Sequence, residues 1–214
     1  MFKKKALFIT FEGIEGSGKT YQSIKLFNKI KSLGFNAIYS REPGGSSGSE
    51  MIRRIILNGK KNKFTKTTDT LLYLAARNEH IEKKIIPALK KKQIIICDRF
   101  IDSTYAYQVY ANKVDKRLVD LNHKIILRKI KPDLTFILNL TIEKAFLRVK
   151  KRKKLNRYDK FSKKFYQKAQ KGFLEIAKLN KKRCVIVDNS IDSLLAEKLI
   201  LKKILILLKK LPAL

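Results

Sequence analysis

The sequence predicts an α/β domain in which helices cover both faces of a central parallel sheet. Short apolar runs alternate with longer helix-like segments along the 214 residues. These runs are continuous rather than alternating, which is typical of strands covered on both faces. The length suits one core, so we expect residues 1–214 to form one domain, a three-layer αβα arrangement with about five strands.

The predicted elements follow one another as strand and helix from the N-terminus onward. The strands are the β-branched and aromatic runs ALFITF (6–11), NAIYS (36–40), IIICD (94–98), LTFILNL (134–140) and CVIVD (184–188). The helices, with bounds uncertain by about two to four residues, are predicted at 19–33, 49–58, 68–92, 103–110, 115–130, 142–151, 162–180 and 192–210.

The chain is strongly basic: 50 Lys and Arg residues against 18 Asp and Glu residues give a formal net charge of +32. Such a charge suits a nucleic-acid partner or anionic substrates. Lys, Ile and Asn are also abundant together, as a compositional drift toward A/T-rich codons would produce. Because charge alone locates no element that reads a nucleic-acid groove, we expect no nucleic-acid partner.

Both cysteines, Cys97 and Cys184, lie in predicted strands. This placement argues against a disulfide framework or a metal cluster and fits a reducing cytoplasm. The apolar run at 6–11 is too short for a signal-peptide core, and the run at 199–208 is interrupted by Lys202 and Lys203. We therefore expect a cytoplasmic protein without a membrane span.

The segment after the first predicted strand carries the signature G-x-x-x-x-G-K-[ST]. It reads Gly13-Ile14-Glu15-Gly16-Ser17-Gly18-Lys19-Thr20 and leads into a predicted helix. Glycines let the backbone aim its N–H groups at an anion, and the helix N-terminus adds its dipole. Lys19 would then reach the β- and γ-phosphates of a nucleoside triphosphate, and Thr20 would bind Mg²⁺. The segment predicts binding of a nucleoside triphosphate.

Other motifs must decide the reaction, because GTPases, ATPase motors and small-molecule kinases share this loop. REPGG (41–45) follows the second strand, Arg53 lies on the next helix, and LLYLAAR (71–77) forms part of a later one. DRF (98–100) closes the third strand and leads to STYAYQ (103–108). Since ligands gather beyond the carboxyl ends of parallel strands, DRF lies on the same rim as the P-loop.

Each of these motifs also has an ordinary structural explanation. REPGG fits a simple turn, because Pro and paired glycines favour turns. Tyr73, within LLYLAAR, fits a residue of the helix core, and Asp98 fits a strand cap. The motifs gain weight from occurring together.

In their order along the chain, these motifs resemble those of the thymidylate kinases, from Phe11 to beyond Asp159. The resemblance implies a P-loop kinase fold and transfer of the γ-phosphoryl group of ATP to dTMP, giving dTDP and ADP. It also implies Mg²⁺ as cofactor and a homodimer. No general base is required, because the attacking 5′-phosphate oxygen is already ionised.

The resemblance further implies a role for each matching residue. Arg53 would bind the 5′-phosphate of dTMP, and Glu15 the 3′-hydroxyl. Asp98 would help hold Mg²⁺, and Arg99 would bridge phosphates. The remaining dTMP contacts would come from Tyr73 stacking on the base where Phe is more usual, Arg77 beside it, Ser103 and Gln108 at the thymine edge, and Tyr107 against the sugar C2′.

A run of five basic residues, Lys150–Lys154, interrupts the composition. Because the run repels itself, we interpret it as part of a mobile lid at about 148–160, with a solvated helix end as the alternative. Bacterial thymidylate kinases without an arginine in the P-loop supply one from the lid. Arg157 is the best match for this catalytic arginine, and Arg148 and Arg152 are further candidates.

Two other functions stay open at this stage. A P-loop kinase for a deoxynucleoside or another monophosphate would share the loop, and a nucleic-acid-binding ATPase would account for the charge. The sequence leaves undecided the tolerance for dUMP, the dimer interface and any role of the surplus lysines.

Overall fold

Five parallel strands form the centre of the structure, a computed structural model that describes residues 6–60, 62–152, 155–190 and 193–209. The strands are β1 (Phe8–Glu12), β2 (Ala37–Arg41), β3 (Ile94–Asp98), β4 (Leu134–Asn139) and β5 (Cys184–Asp188). They are ordered β2-β3-β1-β4-β5, and every neighbouring pair is parallel. All of the predicted strands are confirmed, and the strand before the P-loop is the central one.

Eight of the nine described helices lie between successive strands, and the ninth follows β5. They are α1 (Lys19–Ser32), α2 (Ser47–Leu57), α3 (Lys66–His80), α4 (Ile86–Lys90), α5 (Ile101–Thr104), α6 (Lys116–Ile126), α7 (Ile142–Lys150), α8 (Lys163–Leu179) and α9 (Ser193–Lys209). π-helical turns occupy Ile81–Ile85 and Tyr105–Ala111, and a 3₁₀ turn occupies Tyr158–Lys160.

The predicted helices are confirmed with three changes. The helix expected at 103–110 is the short helix α5 followed by the π-helical turn Tyr105–Ala111. The helix expected at 68–92 runs through α3, a π-helical turn and α4. The helix expected at 115–130 ends at Ile126, because Arg128 and Lys129 take positive φ values of 44° and 70°. Residues 192 and 210, the predicted ends of the last helix, and residues 153–154 of the basic run lie outside the described residues.

Successive side chains of the central strand face opposite layers of helices. Phe8 packs with Ile81 and Ile85 on the face covered by the turn after α3. Ile9 packs with side chains of α1 and α9 on the opposite face. Strands β1 and β3 are buried along their whole length, whereas the edge strand β5 leaves Ile186 46% exposed. The inner strands are therefore covered on both faces, whereas the edge strand β5 is only partly covered although its run CVIVD is also apolar.

Two further sequence predictions concern the covalent state and the membrane. Cys97 and Cys184 are both free and buried, as expected. Among the described residues, no helix combines the length and apolarity that a membrane crossing would need.

Candidate active site

The P-loop joins β1 to α1 through glycines with positive φ: 136° at Gly13, 76° at Gly16 and 89° at Gly18. Other residues rarely adopt such values. A Cβ atom would also strike the backbone carbonyl oxygen of Leu138 at Gly13, and that of Ala145 at Gly16. Gly18 occupies the N-cap of α1 and carries no side chain to cap it. The N–H groups of the first turn are thus available to an anion.

Lys19 folds back onto the loop that precedes it. Its ammonium donates to the Ile14 carbonyl oxygen at 2.6 Å and to Ser17 Oγ at 3.2 Å. Burial, and next the positive charge of Arg99, lower the pKa of Lys19 to about 7. A bound phosphate would favour the charged form, because opposite charges stabilise each other. Lys19 therefore lies where an anionic ligand would bind, and such a ligand would keep its ammonium group protonated.

Asn189, which follows β5, holds the P-loop from the other side. Its side-chain amide donates to the Ser17 carbonyl oxygen at 2.7 Å. The Arg148 guanidinium lies beside the same loop, 3.0 Å from the Asn189 carbonyl oxygen and 3.4 Å from that of Gly16. The loop conformation thus depends on residues far away in sequence.

Thr20 and Asp98 supply oxygen atoms at the end of the loop. The Thr20 hydroxyl donates to Asp98 Oδ2. The other oxygen, Oδ1, is buried and has no hydrogen-bond partner in the described part of the chain. Hydroxyl and carboxylate oxygens are the ligands that Mg²⁺ prefers, and this ion keeps waters and substrate phosphates as its remaining ligands. The pair fits Mg²⁺, although the described residues contain no group of three or more His, Cys, Asp or Glu suited to a metal.

Arg99 extends into the cleft from a left-handed backbone position, with φ 74°. Its guanidinium donates to the Gly13 carbonyl oxygen at 2.9 Å, to Ser103 Oγ at 3.1 Å and to Glu15 Oε1 at 2.9 Å. It also lies over the Tyr107 ring, 5.3 Å from its centroid. Arg99 therefore joins the P-loop to the helix after β3.

Glu15 remains ionised although it is buried. Burial favours the protonated carboxyl, but the cations of Arg99 and Lys19 hold the pKa of Glu15 below its ordinary value. The Tyr107 hydroxyl donates to the second carboxylate oxygen. The two residues expected near the sugar of dTMP are thus in direct contact.

One cleft brings together most of the predicted site residues. Those lining it are Glu15, Lys19, Thr20, Arg53, Tyr73, Arg77, Asp98, Arg99, Ser103, Tyr107 and Gln108. At one end, Arg53 Nη1 donates to the Pro43 carbonyl oxygen at 2.5 Å, and Arg41 adds a second guanidinium that the sequence analysis did not select. This end of the cleft is suited to a second anionic group.

Tyr158 is a lining residue that sequence reasoning missed. Its ring meets those of Tyr73 and Tyr107 edge-on, at centroid distances of 5.8 Å and 6.0 Å. Its hydroxyl accepts a hydrogen bond from Gln108 Nε2 at 3.3 Å. An aromatic residue beside the basic run was the available signal.

Glu12 is a second missed residue, located at the end of β1. It accepts hydrogen bonds from the Ser103 hydroxyl at 2.6 Å and from the Phe100 amide at 2.7 Å. Burial, and next the charge of Asp102, raise the pKa of Glu12 to about 8. A carboxylate ending a buried strand directly before Gly13 was a usable signal. Ser103 is therefore held by Glu12 as well as by Arg99.

Arg77 lies beside the cleft with its guanidinium fully engaged. Its donors reach Glu42 Oε2 at 2.8 Å, Thr104 Oγ1 and His123 Nε2 both at 2.7 Å, and the Phe100 carbonyl oxygen at 2.9 Å. The residue is only 2% exposed. A thymine base would thus meet a guanidinium whose plane is already fixed.

Arg157 does not occupy the position expected of the lid arginine. Its side chain is buried in an ion pair with Asp69 at the start of α3, and it is not among the cleft-lining residues. Its backbone N–H donates to the Leu57 carbonyl oxygen at 3.0 Å. Asp69 also accepts the Tyr158 hydroxyl at 2.7 Å. A guanidinium held this way anchors its segment to α3, and the catalytic role of Arg157 stays a prediction.

The other two lid candidates lie closer to the chemistry. Arg152 lines the cleft and forms an ion pair with Asp159 at 2.8 Å. Its side chain is 40% exposed, whereas that of Arg157 is buried. Arg148 contacts the P-loop.

Comparisons with known proteins agree with this geometry. A family model described as Thymidylate kinase matches residues 11–199. A Mycoplasma capricolum thymidylate kinase is 41% identical over 188 residues, covering 87% of this chain and 88% of the relative. One from the Wolbachia of Brugia malayi is 45% identical over 184 residues, covering 85% and 86%. The crystal structure of thymidylate kinase from Ehrlichia chaffeensis superposes with a TM-score of 0.76 at 34% identity, covering 93% of this chain and 98% of that one. The chain belongs to the thymidylate kinase family.

Proposed function

We propose that this family member transfers the γ-phosphoryl group of ATP to dTMP, giving dTDP and ADP. The observation that carries the proposal is a single cleft in which the P-loop lysine faces two cationic groups. Lys19 lies at one side, and Arg99 and Arg53 lie along the cleft from it. Two anionic reactants can therefore meet between these cations.

The acceptor would lie with its phosphate at Arg53 and Arg41 and its sugar at Glu15 and Tyr107. A guanidinium fork suits a phosphate dianion. The ionised carboxylate of Glu15 can accept a hydrogen bond from a 3′-hydroxyl. The thymine would lie in the half of the cleft lined by Tyr73, Arg77, Ser103, Gln108 and Tyr158.

Catalysis would consist of alignment and charge neutralisation. Phosphoryl transfer spreads negative charge over the transferring group, and fixed cations stabilise that charge. Lys19 and Arg99 supply two of them, and we assign the third to Arg152 with support from Arg148. Mg²⁺ held by Thr20 and Asp98 would neutralise phosphate charge when bound. Asp98 would thereby act on the reaction through its free oxygen.

Residues at about 148–160 would close over the cleft as a lid within one domain. Arg148 touches the P-loop, and Tyr158 covers the acceptor side. Closure would exclude water, which otherwise accepts the phosphoryl group. A cytoplasmic location suits two buried free cysteines.

A coupled assay for ADP release, run with different nucleoside monophosphates, tests which of them the enzyme phosphorylates. We expect fast turnover with dTMP and slow turnover with dUMP, dCMP and AMP. Equal turnover with another monophosphate would support the broader kinase function. Hydrolysis stimulated by oligonucleotides would instead support a nucleic-acid-dependent ATPase, for which the net charge of +32 is the motivation.

We also propose a homodimer formed through adjoining faces of α2, α3 and α6. Leu121 and Ile125 on α6 are 63% and 74% exposed, and Met51 on α2 is 62% exposed. Exposed apolar side chains on neighbouring helices mark an interaction surface. Analytical ultracentrifugation should find a dimer for the wild-type chain and a monomer for the Leu121→Glu/Ile125→Glu variant. A wild-type monomer at micromolar concentration would refute the dimer.

A further inference from the structure

The inference concerns His123, a buried residue of α6 that belongs to no motif of the sequence. It is one of two histidines in the chain and is 4% exposed. Its Nε2 lies 2.7 Å from Arg77 Nη1. Arg77, in turn, lines the half of the cleft assigned to the thymine base. His123 is therefore one residue away from the substrate.

The chemistry of the contact fixes the state of the imidazole. A guanidinium can only donate hydrogen bonds, so Nε2 must accept with its lone pair. The ring proton then resides on Nδ1, which lies 3.4 Å from the Tyr105 hydroxyl. That hydroxyl donates to Asp120 Oδ1 at 2.8 Å. The hydrogen bonds therefore run in one direction: Arg77 donates to His123, His123 donates to Tyr105, and Tyr105 donates to Asp120.

The electrostatic environment keeps the ring neutral. Burial and the adjacent Arg77 cation both disfavour the imidazolium and lower the pKa of His123 to about 3. Asp120 opposes this shift but lies beyond Tyr105. Around Arg77, the charge is balanced on the other side by Glu42, at 2.7 Å from Nη2. A second cation beside Arg77 would disturb this balance.

The remaining partners of Arg77 come from other elements. Glu42 follows β2, Phe100 follows β3 and Thr104 belongs to α5. Glu42 is itself held by His80, whose Nδ1 lies 2.9 Å from Glu42 Oε1. His123 is the only one of these Arg77 partners that α6 contributes. Without it, one Nη1 hydrogen loses its acceptor, and the guanidinium is held by Glu42, Thr104 and Phe100 alone.

We propose that His123 is a positioning residue that orients the Arg77 guanidinium for binding of the thymine base. The proposal rests on the proposed function of the cleft. It assigns His123 an effect on the acceptor nucleotide and none on ATP, whose P-loop site lies at the other end of the cleft.

Steady-state kinetics of three variants test the proposal. His123→Leu removes the acceptor and should raise KM for dTMP about tenfold, the size of one hydrogen bond to a charged group. We expect kcat and KM for ATP to change less than threefold. In His123→Gln, the side-chain carbonyl can replace Nε2 and should restore KM to within about threefold of the wild-type value.

Val119→Ala is the matched control for a purely structural effect. Val119 is fully buried one turn earlier on α6, and its side chain cannot accept a hydrogen bond. The Val119→Ala substitution should lower the melting temperature and leave KM for dTMP unchanged. The proposal is wrong if His123→Leu keeps the wild-type KM, or if Val119→Ala raises KM to the same extent.

Nitrogen-15 NMR of the imidazole tests the geometry without any variant. We expect an unprotonated Nε2, a protonated Nδ1 and no titration between pH 5 and pH 8. A ring that is doubly protonated at pH 7 overturns the proposal, even if His123→Leu fails to fold. If the wild-type enzyme does not phosphorylate dTMP, the proposed function fails, whereas the NMR result still decides the arrangement of His123.

Discussion

The P-loop and the lid carry cations for the same reaction but obtain their geometry in different ways. Lys19 is held by Ile14 and Ser17, residues within five positions of it. In the lid, Arg157 is held by Asp69, 88 positions away. The first arrangement is encoded by a short motif, and the second depends on the whole tertiary structure. A residue that matches the family motif is therefore strong support for a catalytic role when it lies in the P-loop. The same match is weak support when the residue lies in the lid.

The largest expected effect comes from the P-loop. Lys19→Met removes the cation that faces the transferring group, and we expect kcat to fall about 10²- to 10³-fold. The fold should be retained, because the substituted side chain is apolar in a buried position. Turnover in the coupled ADP assay, with circular dichroism as the folding control, measures this. A decrease below tenfold would remove Lys19 from the catalytic set.

The next effect separates the two lid arginines. Arg152→Ala should lower kcat about tenfold or more and should lower the melting temperature less than Arg157→Ala does, because Arg152 is 40% exposed and the Asn156 amide still donates to the buried Asp159 carboxylate. Arg157→Ala leaves the Asp69 carboxylate buried without its cation and should cost about 3–5 kcal/mol of folding free energy. Thermal melts and steady-state kinetics of both variants show which of the two arginines acts in catalysis and which stabilises the fold. A stable Arg157→Ala enzyme with low kcat would return the catalytic role to Arg157.

A smaller effect concerns the pH dependence of stability. The unfolded chain holds its lysine proton up to about pH 10.5, whereas folded Lys19 loses it near pH 7. Between these values the unfolded state binds more protons, so the free-energy cost of burying Lys19 falls as pH rises, by at most about 1.4 kcal/mol per pH unit. The stability gain of Lys19→Met over wild type should thus shrink from pH 7 to pH 9. Urea unfolding that gives a constant difference would contradict the lowered pKa.

The smallest effect is expected where the base side of the cleft meets the lid. Tyr73→Phe keeps the ring that faces Tyr158 and removes only a hydroxyl. We expect KM for dTMP to change less than threefold, since ring contact area supplies most of the interaction. Matched kinetics on Tyr73→Leu should show a clearly larger increase. If Phe is as damaging as Leu, the hydroxyl itself has a function.

Sequence alone predicted the sheet and the catalytic loop well, because both follow from short-range rules. Continuous apolar runs located all the strands, and the glycine pattern located Gly13, Gly16 and Gly18 at positions of positive φ. DRF placed Asp98 and Arg99 on the correct rim of the sheet. The order of strands across the sheet has no such local signal.

Long-range polar contacts were beyond sequence reasoning. Glu12, Asp69, His123 and Asn189 each acquire their role from a partner between 46 and 172 positions away. Buried polar groups need such partners, but the sequence does not say which partner satisfies which group. The helix end near Arg128 was missed for a different reason, because arginine and lysine are not typical of the left-handed conformation that Arg128 and Lys129 adopt.

The position of β1 has a consequence for how the chain is made. β1 leaves the ribosome before the other strands, yet its neighbours in the sheet are β3 and β4, and the amide that holds Ser17 belongs to Asn189. At about 5–20 residues per second, synthesis from the P-loop to Asn189 takes roughly ten to forty seconds. During that interval the loop has no complete scaffold. The ATP site therefore cannot mature until Asn189, 172 positions after Ser17, has been translated.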